Sequence, residues 1–496
     1  MQYTSTRNKS VNVTASQAIV KGISEDGGLF VPVEFPQISL EKIVELSKMG
    51  YKDVAKYVLS LYLTDFTKEE IDSCVEGAYA DGKFSSEDIA PLHELSGNYV
   101  EELWRGPTCA FKDMALQLLP HLLTVSASKQ AKDKTIVILV ATSGDTGKAA
   151  LEGFKDVKNT KILVFYPSDG VSPMQKLQMN TQQGENVSVC AIKGNFDDAQ
   201  SGVKAIFTSD EIASKLAKNN MQFSSANSIN WGRLVPQVVY YVFAYCQLIK
   251  KGAIKPGDKI NIVVPTGNFG NILAAYYAKK MGVPVNKFVC ASNKNNVLTD
   301  FITTGEYNKN REFFTTSSPS MDILISSNLE RLLFEVFGKD DEKVRECMKL
   351  LSREGKYSID QEAFEKISAE FAAGCCDDEQ TLDTIGKTFK NENYLLDTHT
   401  AVGVKVYEDY AEKTGDKTLS VIASTANPYK FSASVLKAVA PDRKVESEFD
   451  AVDAVREATG VECPAQLAEL KGKTPRFKQT CEKSEMTDVV LEMLGI

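Results

Sequence analysis

Histidine is scarce in this sequence: the 496 residues include only three, His93, His121 and His399. Acid–base or metal chemistry based on histidine therefore has few candidates, and we expect all three side chains to be structural. The ten cysteines show no CxxC spacing, so neither a zinc site nor a disulfide framework is predicted. We expect reduced thiols in a reducing compartment, and no metal site.

Long apolar runs and an excess of positive charge are also absent. No run approaches the roughly 20 apolar residues that cross a bilayer, and residues 1–6 are polar, unlike the apolar core of a secretory signal. A net charge of −9, with 43% hydrophobic and 25% charged residues, is typical of an ordinary globular protein. A nucleic-acid-binding protein would usually carry a basic face. We therefore expect a cytoplasmic protein that binds neither nucleic acid nor membrane.

Short apolar segments alternate with glycine-rich loops and helical patterns from residue 96 onward. Examples of the apolar segments are residues 135–140, 187–192 and 259–264. This alternation predicts an α/β core of parallel sheets flanked by helices over residues 96–440. Folds of this kind bind their ligands at the carboxyl ends of the strands.

The remaining parts of the chain show weaker patterns. Apolar residues such as Ile43 and Leu46 recur at helical spacing and predict a mainly helical amino-terminal domain over residues 1–95. The polar stretch at about 293–393 is predicted to be a helical insertion in the core. Residues 441–496 are predicted to form a charged carboxyl-terminal segment.

Lys112 lies in the string GPTCAFKD at residues 106–113. A solvated lysine stays protonated at neutral pH and is then a poor nucleophile. In a partly buried turn beside an aromatic ring, desolvation lowers the pKa of the amine, which can then form a Schiff base with a carbonyl group. A surface lysine is the simpler interpretation of a lone Phe-Lys-Asp string, but three later loops favour the reactive one. The helix behind Lys112 is expected to stop near Pro120.

The first of these loops, PTGNFGN at residues 265–271, lies between an apolar strand and a helix. Glycines let the backbone approach an anion closely, and the free N–H groups and dipole of a helix N-terminus stabilise its charge. A phosphate is the natural ligand, with a tight structural turn as the alternative. The string is not GxGxxG, which disfavours a nicotinamide cofactor.

The second and third loops each follow another apolar strand. The loop TSGDTGK at residues 142–148 fails as a nucleotide-binding P-loop, because Thr142 replaces the first glycine and Ala149 the required serine or threonine. Its hydroxyls and backbone N–H groups suit a small carboxylate at a helix N-terminus. The loop STANP at residues 424–428 supplies a hydroxyl that can hydrogen-bond a ring nitrogen without forcing its protonation.

Together these strings resemble the threonine synthase family, pyridoxal-phosphate enzymes of the tryptophan-synthase-β-like fold type. The resemblance runs over nearly the whole chain, and the length and insertion are similar to the fungal type. It is carried by GGLFVP at 27–32, GPTCAFKD at 106–113, ATSGDTG at 141–147, SINWGR at 228–233, PTGNFGN at 265–271, MDI at 321–323, SSNLER at 326–331 and the loop at 424–431. It implies fold type II, with parallel sheets in a large and a small subdomain. Trp104 and Arg105 depart from the family pattern, in which an aromatic residue and then a histidine precede Gly106.

The resemblance implies a pyridoxal 5′-phosphate site in which Lys112 binds the cofactor as a Schiff base and acts as acid and base. Thr425 would contact the pyridine nitrogen. The residues implied to hold the cofactor phosphate are Gly267, Asn268, Phe269 and Asn271. The implied substrate is the small molecule O-phospho-L-homoserine, with its carboxylate near residues 143–146 and its phosphate near Arg233 or Asn230. The implied substrate-binding residues are Ser143, Gly144, Asp145, Thr146, Asn230 and Arg233.

An enzyme of this family eliminates phosphate from its substrate and adds water to give threonine, the last step of threonine biosynthesis. We expect such a lyase as a monomer or homodimer. A serine/threonine dehydratase or a cysteine synthase-like enzyme would use the same lysine and phosphate loop, but the amino-terminal domain and the string SINWGR disfavour both. A catalytically silent homologue that binds phosphorylated ligands has no need of Lys112. A nucleotide-dependent kinase is disfavoured by the failed P-loop.

Overall fold

Strands and helices alternate along the residues that the structure, a computed structural model, describes: 1–130, 134–142, 144–168 and 171–496. The strands are β1 (Tyr3–Ser5), β2 (Asn8–Val13), β3 (Phe30–Pro32), β4 (Leu92–Leu95), β5 (Asn98–Glu102), β6 (Thr135–Ala141), β7 (Thr160–Pro167), β8 (Val187–Lys193), β9 (Met221–Ser224), β10 (Ile260–Pro265), β11 (Val285–Ser292), β12 (Glu306–Asn308), β13 (Lys356–Ser358), β14 (Phe371–Cys375), β15 (Ser420–Ser424) and β16 (Thr480–Glu482).

The helices connect and cover these strands. The α-helices are α1 (Ala15–Lys21), α2 (Leu40–Leu46), α3 (Tyr51–Tyr62), α4 (Lys68–Ala78), α5 (Lys112–Leu116), α6 (Leu119–Gln130), α7 (Asp145–Phe154), α8 (Pro173–Asn180), α9 (Phe196–Phe207), α10 (Asp210–Lys218), α11 (Trp231–Lys250), α12 (Gly270–Met281), α13 (Val297–Thr304), α14 (Leu329–Val336), α15 (Asp341–Arg353), α16 (Gln361–Glu370), α17 (Asp378–Glu392), α18 (Thr398–Thr414), α19 (Ser432–Val439), α20 (Glu448–Thr459), α21 (Ala465–Ala468) and α22 (Met486–Leu494). Short 3-10 helices cover Pro319–Met321, Pro428–Phe431 and Lys483–Glu485.

The larger sheet has the strand order β14-β11-β10-β15-β5-β4. Its neighbours are parallel except β4, which pairs antiparallel with β5. β10, with the sequence INIVVP, is buried at every position, as expected for a parallel strand covered by helices on both faces. The carboxyl ends of β5, β15 and β10 therefore lie side by side at one edge of the sheet.

The smaller sheet has the order β16-β8-β7-β6-β9, with parallel neighbours throughout. β16 comes from the carboxyl-terminal segment, which then packs α22 against the sheet. Met486, Val490 and Leu494 join the apolar cluster that contains Leu163 and Ile192. The sequence pattern did not predict this return to the sheet, because a three-residue strand is too short to show a period.

The helix α11 is the central helix of the molecule and spans 20 residues. It is buried from Trp231 to Leu248 and packs against α3, α5 and α12. It therefore joins the amino-terminal domain to the helix that begins with Lys112. Despite its length it does not have the apolar character of a membrane span, and no helix among the described residues does.

The amino-terminal domain contains α1 to α4 and a three-stranded antiparallel sheet, β2-β1-β3, which the helical pattern did not predict. Arg331 of α14 fastens this domain to the core, and its side chain is fully buried. Its Nε donates to the carbonyl of Phe30 at 3.0 Å, its Nη2 to the carbonyl of Ile229 at 2.7 Å and its Nη1 to Oδ1 of Asn328. One guanidinium thus satisfies three oxygen atoms from separate parts of the chain, two of them buried.

Two predictions of local structure need correction. The region at 293–393 is not only helical: β12 pairs with β13, and β14 extends the larger sheet beside β11. The helix behind Lys112 does not run to Pro120 either. α5 ends at Leu116 and α6 begins at Leu119, so that Pro120 lies in a first turn, where its missing N–H removes no intrahelical hydrogen bond. The domain boundaries at 95 and 440 stay predictions.

Arg331→Met should lower the free energy of unfolding by about 3 kcal/mol, because it leaves two buried oxygen atoms and a half-buried one without their donor. Chemical denaturation measures the loss. Arg353→Met is the matched control, since this exposed side chain at the end of α15 makes no hydrogen bond or ion pair with the described residues, and its replacement should cost less than about 0.5 kcal/mol. Equal losses in the two variants would contradict the role assigned to Arg331.

Candidate active site

Three of the predicted site segments meet at the carboxyl edge of the larger sheet. Lys112 follows β5, Thr425 follows β15 and the loop at 267–271 follows β10, and these strands are neighbours spaced roughly 4.8 Å apart. Backbone hydrogen bonds fix the first two segments together. Phe111 N donates to the Thr425 carbonyl at 2.8 Å, and Asn427 N donates to the Cys109 carbonyl at 3.0 Å. The structure therefore brings Lys112 and Thr425 to one place, as the sequence predicted.

The turn before Lys112 is closed by Asp113. Its carboxylate accepts hydrogen bonds from Thr108 N at 2.8 Å and Thr108 Oγ1 at 2.7 Å. Gly106 is needed for this closure, because a Cβ there would lie 2.6 Å from the Asp113 side chain. Cys109 adopts a positive φ of 60°. The turn is thereby held rigid and sets the direction of α5, whose first residue is Lys112.

The Lys112 amine has a lowered pKa and no hydrogen-bond partner for its nitrogen among the described residues. Its pKa is lowered to about 8, mainly by burial; the charge of Asp145 opposes this shift, and the charges of Arg233 and Lys430 add to it. Its Nζ makes no hydrogen bond or ion pair with the described residues, and the ring of Phe111 lies 5.8 Å away. A neutral fraction of this amine is therefore present near neutral pH.

The loop after β10 ends at a helix N-terminus whose donors are open. Phe269 has a left-handed φ of 62° and no side chain caps α12, so the first N–H groups of the helix have no intrahelical acceptor. Gly267 lies against the chain at 320, where a Cβ would approach the Ser320 carbonyl to 2.6 Å. Ser326 Oγ donates to the Gly267 carbonyl at 2.7 Å. This geometry suits a phosphate group.

Two polar groups at the ends of the site lack partners within the described residues. Nδ2 of Asn271 is buried without an acceptor, while its Oδ1 accepts from Tyr240 and Tyr241. The side chain of Thr425 is 6% exposed and its hydroxyl has no hydrogen bond to these residues. A buried polar atom is normally satisfied, so these atoms fit a ligand with an anionic group at one end and a ring nitrogen at the other. Pyridoxal 5′-phosphate has both, and its aldehyde would meet Lys112.

The predicted carboxylate loop is described only in part, since Ser143 lies outside the described residues. Gly144 has a φ of 139°, and a Cβ there would lie 2.5 Å from the Gln175 side chain. Asp145 accepts from Gln175 Nε2 at 2.9 Å and pairs with Lys430 at 2.8 Å. Burial would raise the pKa of Asp145, but the charges of Lys430 and Lys112 hold it well below its usual range. A carboxylate ligand would therefore meet the backbone of this loop and half-buried Thr146, not the Asp145 side chain.

Arg233 and Asn230 differ in what their side chains can still bind. Arg233 is 3% exposed. Its Nη1 donates to the Ala226 carbonyl, its Nε has no partner in the described part of the chain, and burial lowers its pKa to about 10. The Asn230 side chain is fully used: Oδ1 accepts from Gly232 N, and Nδ2 donates to the carbonyls of Ile19 and Ser225. Asn230 is thus the N-cap of α11 and its contact with the substrate stays a prediction, while Arg233 keeps donors for an anion.

Sequence reasoning missed Lys430 and Gln175. Lys430 lies in the same string as Thr425, but a lysine after a tyrosine gives no local sign of burial.

Trp104 and Arg105, which depart from the family pattern, make contacts with neighbouring side chains. Trp104 Nε1 donates to Ser424 Oγ at 3.0 Å, and Arg105 stacks on Trp104 and hydrogen-bonds Glu102.

The fold and this site define a pyridoxal-phosphate-dependent enzyme. Residues 86–364 match the family model described as pyridoxal-phosphate dependent enzyme. Residues 2–79 match the model of the threonine synthase N terminus, and residues 400–490 that of the threonine synthase C-terminal region. The chain belongs to the threonine synthase family, and its cofactor is pyridoxal 5′-phosphate.

Named relatives and solved structures agree with this assignment. The threonine synthase of Pseudomonas aeruginosa is 38% identical over 88% of this chain and 90% of its own. Human threonine synthase-like 1 is 42% identical over 86% of this chain, which spans 58% of the human protein. The crystal structure of threonine synthase from yeast has a TM-score of 0.89 at 33% identity and covers 100% of this chain and 99% of its own. The PLP-bound threonine synthase from Brucella melitensis has a TM-score of 0.86 at 36% identity, with 99% of both chains covered. The expected fold type II architecture is confirmed.

Lys112→Met should remove a pH dependence from the stability of the cofactor-free chain. The pKa of Lys112 falls from 10.5 to about 8 on folding, so between these values the unfolded chain holds more protons than the folded chain. The free energy of unfolding should therefore rise with pH across this window, by roughly 1 kcal/mol per pH unit relative to the variant. Below about pH 8 the difference in the free energy of unfolding between the two proteins should not change with pH. Denaturation series at increasing pH measure the difference, and a constant difference throughout would contradict the lowered pKa.

Proposed function

We propose that the chain converts O-phospho-L-homoserine and water to L-threonine and phosphate. One observation supports the proposal: the chain offers two separate sets of unused donors that suit an anion. One is the open N-terminus of α12 with Asn271, and the other is the guanidinium of Arg233, whose charge acts on Lys112. A phosphorylated cofactor and a phosphorylated substrate together need two such sites. An enzyme acting on an unphosphorylated amino acid needs one.

The cofactor site is proposed to consist of Lys112, the loop from Gly267 to Asn271 and Thr425. The loop N–H groups and Asn271 Nδ2 would bind the phosphate, and the Thr425 hydroxyl would bind the pyridine nitrogen. When bound, pyridoxal phosphate supplies an electron sink that acidifies the proton on Cα of the amino acid. A neutral hydroxyl beside the ring nitrogen leaves the protonation of that nitrogen open, whereas a carboxylate would favour it.

Lys112 is the proposed acid and base. With a pKa lowered to about 8, its Nζ can both take up and return protons near neutral pH. It would remove the proton from Cα, exchange protons at the neighbouring carbons as the bond from Cγ to the phosphate oxygen breaks, and return a proton to Cα after water adds at Cβ. Water enters and phosphate leaves, so that the atoms balance.

The substrate is proposed to bind through its two charged ends. Arg233 would bind the phosphate with the donors that the protein leaves unused. The carboxylate would bind at the N-terminus of α7, through the backbone at Ser143, Gly144 and Asp145 and the hydroxyl of Thr146. Asn230, which caps α11, is proposed to lie beside the substrate phosphate and to hold Arg233 in position.

We further propose a cytoplasmic enzyme that functions as a monomer or homodimer and binds no nucleic acid or membrane. All ten cysteines carry free thiols, which supports a reducing compartment. The buried cysteine thiols have raised pKa values because of burial, among them Cys109 and Cys290, each at about 12. Thiols of this kind are unreactive and suit a structural role.

Lys112→Ala should lower turnover at least about 100-fold, because it removes the proposed acid and base. Purified protein should release phosphate from O-phospho-L-homoserine with formation of threonine, and should not act on O-acetylserine. The wild-type protein should also absorb in the visible region, and borohydride should abolish the absorption and label Lys112. A colourless protein, or turnover near wild type in the variant, would refute the proposal. Deamination of serine or threonine as the dominant activity would favour a dehydratase.

Arg233→Met should lower kcat/KM for O-phospho-L-homoserine by about 100-fold, because it removes a charge-assisted contact to the substrate phosphate. The visible absorption of the cofactor should persist, since Arg233 belongs to the other anion site. Arg353→Met, at an exposed position of α15, is the control and should leave kcat/KM unchanged. If Arg233→Met instead loses the cofactor and keeps kcat/KM after reconstitution, the two anion sites have been assigned in reverse.

A further inference from the structure

A fully buried ion pair connects the two parallel sheets beside Lys112. Lys430 has no exposed side-chain surface and Asp145 has 4%, and Lys430 Nζ lies 2.8 Å from Asp145 Oδ1. Lys430 belongs to the 3-10 helix that follows β15 of the larger sheet. Asp145 is the first residue of α7, which follows β6 of the smaller sheet. The pair therefore joins the carboxyl edges of both sheets.

The remaining contacts of the pair fix both side chains. Lys430 Nζ also donates to the Thr108 carbonyl at 3.0 Å, in the turn that carries Lys112. Gln175 Nε2 donates to Asp145 Oδ1 at 2.9 Å. The free-energy cost of removing two charges from water can exceed the attraction between them, so a buried ion pair is weak evidence of a stabilising role. Its position next to the reactive amine indicates another role.

The charged groups that act on Lys112 come from three elements. Asp145 on α7 favours the charged amine, while Arg233 on α11 and Lys430 on the 3-10 helix disfavour it. Arg233 is the proposed ligand of the substrate phosphate, so its charge is neutralised when substrate binds. Asp145 and Lys430 bind each other.

We propose that Asp145 and Lys430 are positioning residues that act through Lys112, with the carboxylate and the ammonium setting in opposite directions how readily its amine takes up a proton. The inference rests on the proposed function only in taking Lys112 as the reactive amine. Lys430 has a double effect, since it both opposes the proton on Lys112 and holds the Asp145 carboxylate in place.

The test measures the protonation of Lys112 directly. The full-length chain, freed of cofactor, is labelled with trace acetic anhydride at a series of pH values, and the Lys112 peptide is quantified by mass spectrometry. The pH midpoint of labelling reports the amine pKa. Lys430→Met should raise the midpoint and Asp145→Asn should lower it, each by about one pH unit, or a tenfold change in labelling rate below the midpoint. In Lys430→Met, Lys112 remains as a cation that lowers the pKa of Asp145.

Two further variants act as controls. Lys430→Arg keeps the charge and should retain the wild-type midpoint. Lys148→Met removes a lysine of α7 that pairs with Glu152 at 2.9 Å. This variant should also leave the midpoint unchanged. Shifts of Lys430→Met and Asp145→Asn in the same direction, or shifts no larger than that of Lys148→Met, would overturn the inference.

Folding and function are read separately. If Lys430→Met does not fold in a thermal unfolding scan, the isosteric Asp145→Asn decides alone, and a midpoint at or above wild type overturns the inference. The labelling needs neither cofactor nor substrate. Opposite shifts in a chain that does not turn over O-phospho-L-homoserine would therefore keep this inference and reject the proposed function.

Discussion

The alignment of β5, β15 and β10 in one parallel sheet is the constraint on which the site depends. Parallel neighbours end at the same edge, and each of these strands ends in a loop with a different chemical task. The backbone bond from Phe111 to Thr425 ties two of the loops together. The third loop is held from outside by the chain at 320–328. In the proposed site no single loop is sufficient, because each would supply only one part of the contacts to the ligand.

The features that the sequence could predict are those encoded locally. Buried parallel strands such as β10 read as apolar runs, and glycine-rich strings follow them, so the α/β fold and the position of Lys112 were predictable. The features that it could not predict depend on partners far along the chain. Asn230 was expected near the substrate, but its hydrogen bonds to the carbonyls of Ile19 and Ser225 could not be foreseen. β14 and β16 are too short to show a period and take their place only by pairing with β11 and β8. The family resemblance supplied residue roles that no local pattern carries.

The amino-terminal domain supports the site indirectly. Arg331 binds the Phe30 carbonyl on one side and Asn328 on another, and Asn328 donates to the Asn268 carbonyl at 3.1 Å. A chain of hydrogen bonds thus runs from β3 to the phosphate loop. Arg7 adds a second link through Glu330, at 2.7 Å. Rigid support of this kind keeps binding groups within the small tolerances that catalysis needs.

The placement of β16 has a consequence for how the molecule is made. The outer edge of β8 is covered by β16, a strand that is translated long after β8 itself. Until then a nascent chain presents an unpaired strand edge, which is a template for association with other chains. Large proteins that expose such edges during synthesis depend on chaperones. The interval between translation of β8 and that of β16 is therefore the period in which this protein most needs protection from aggregation.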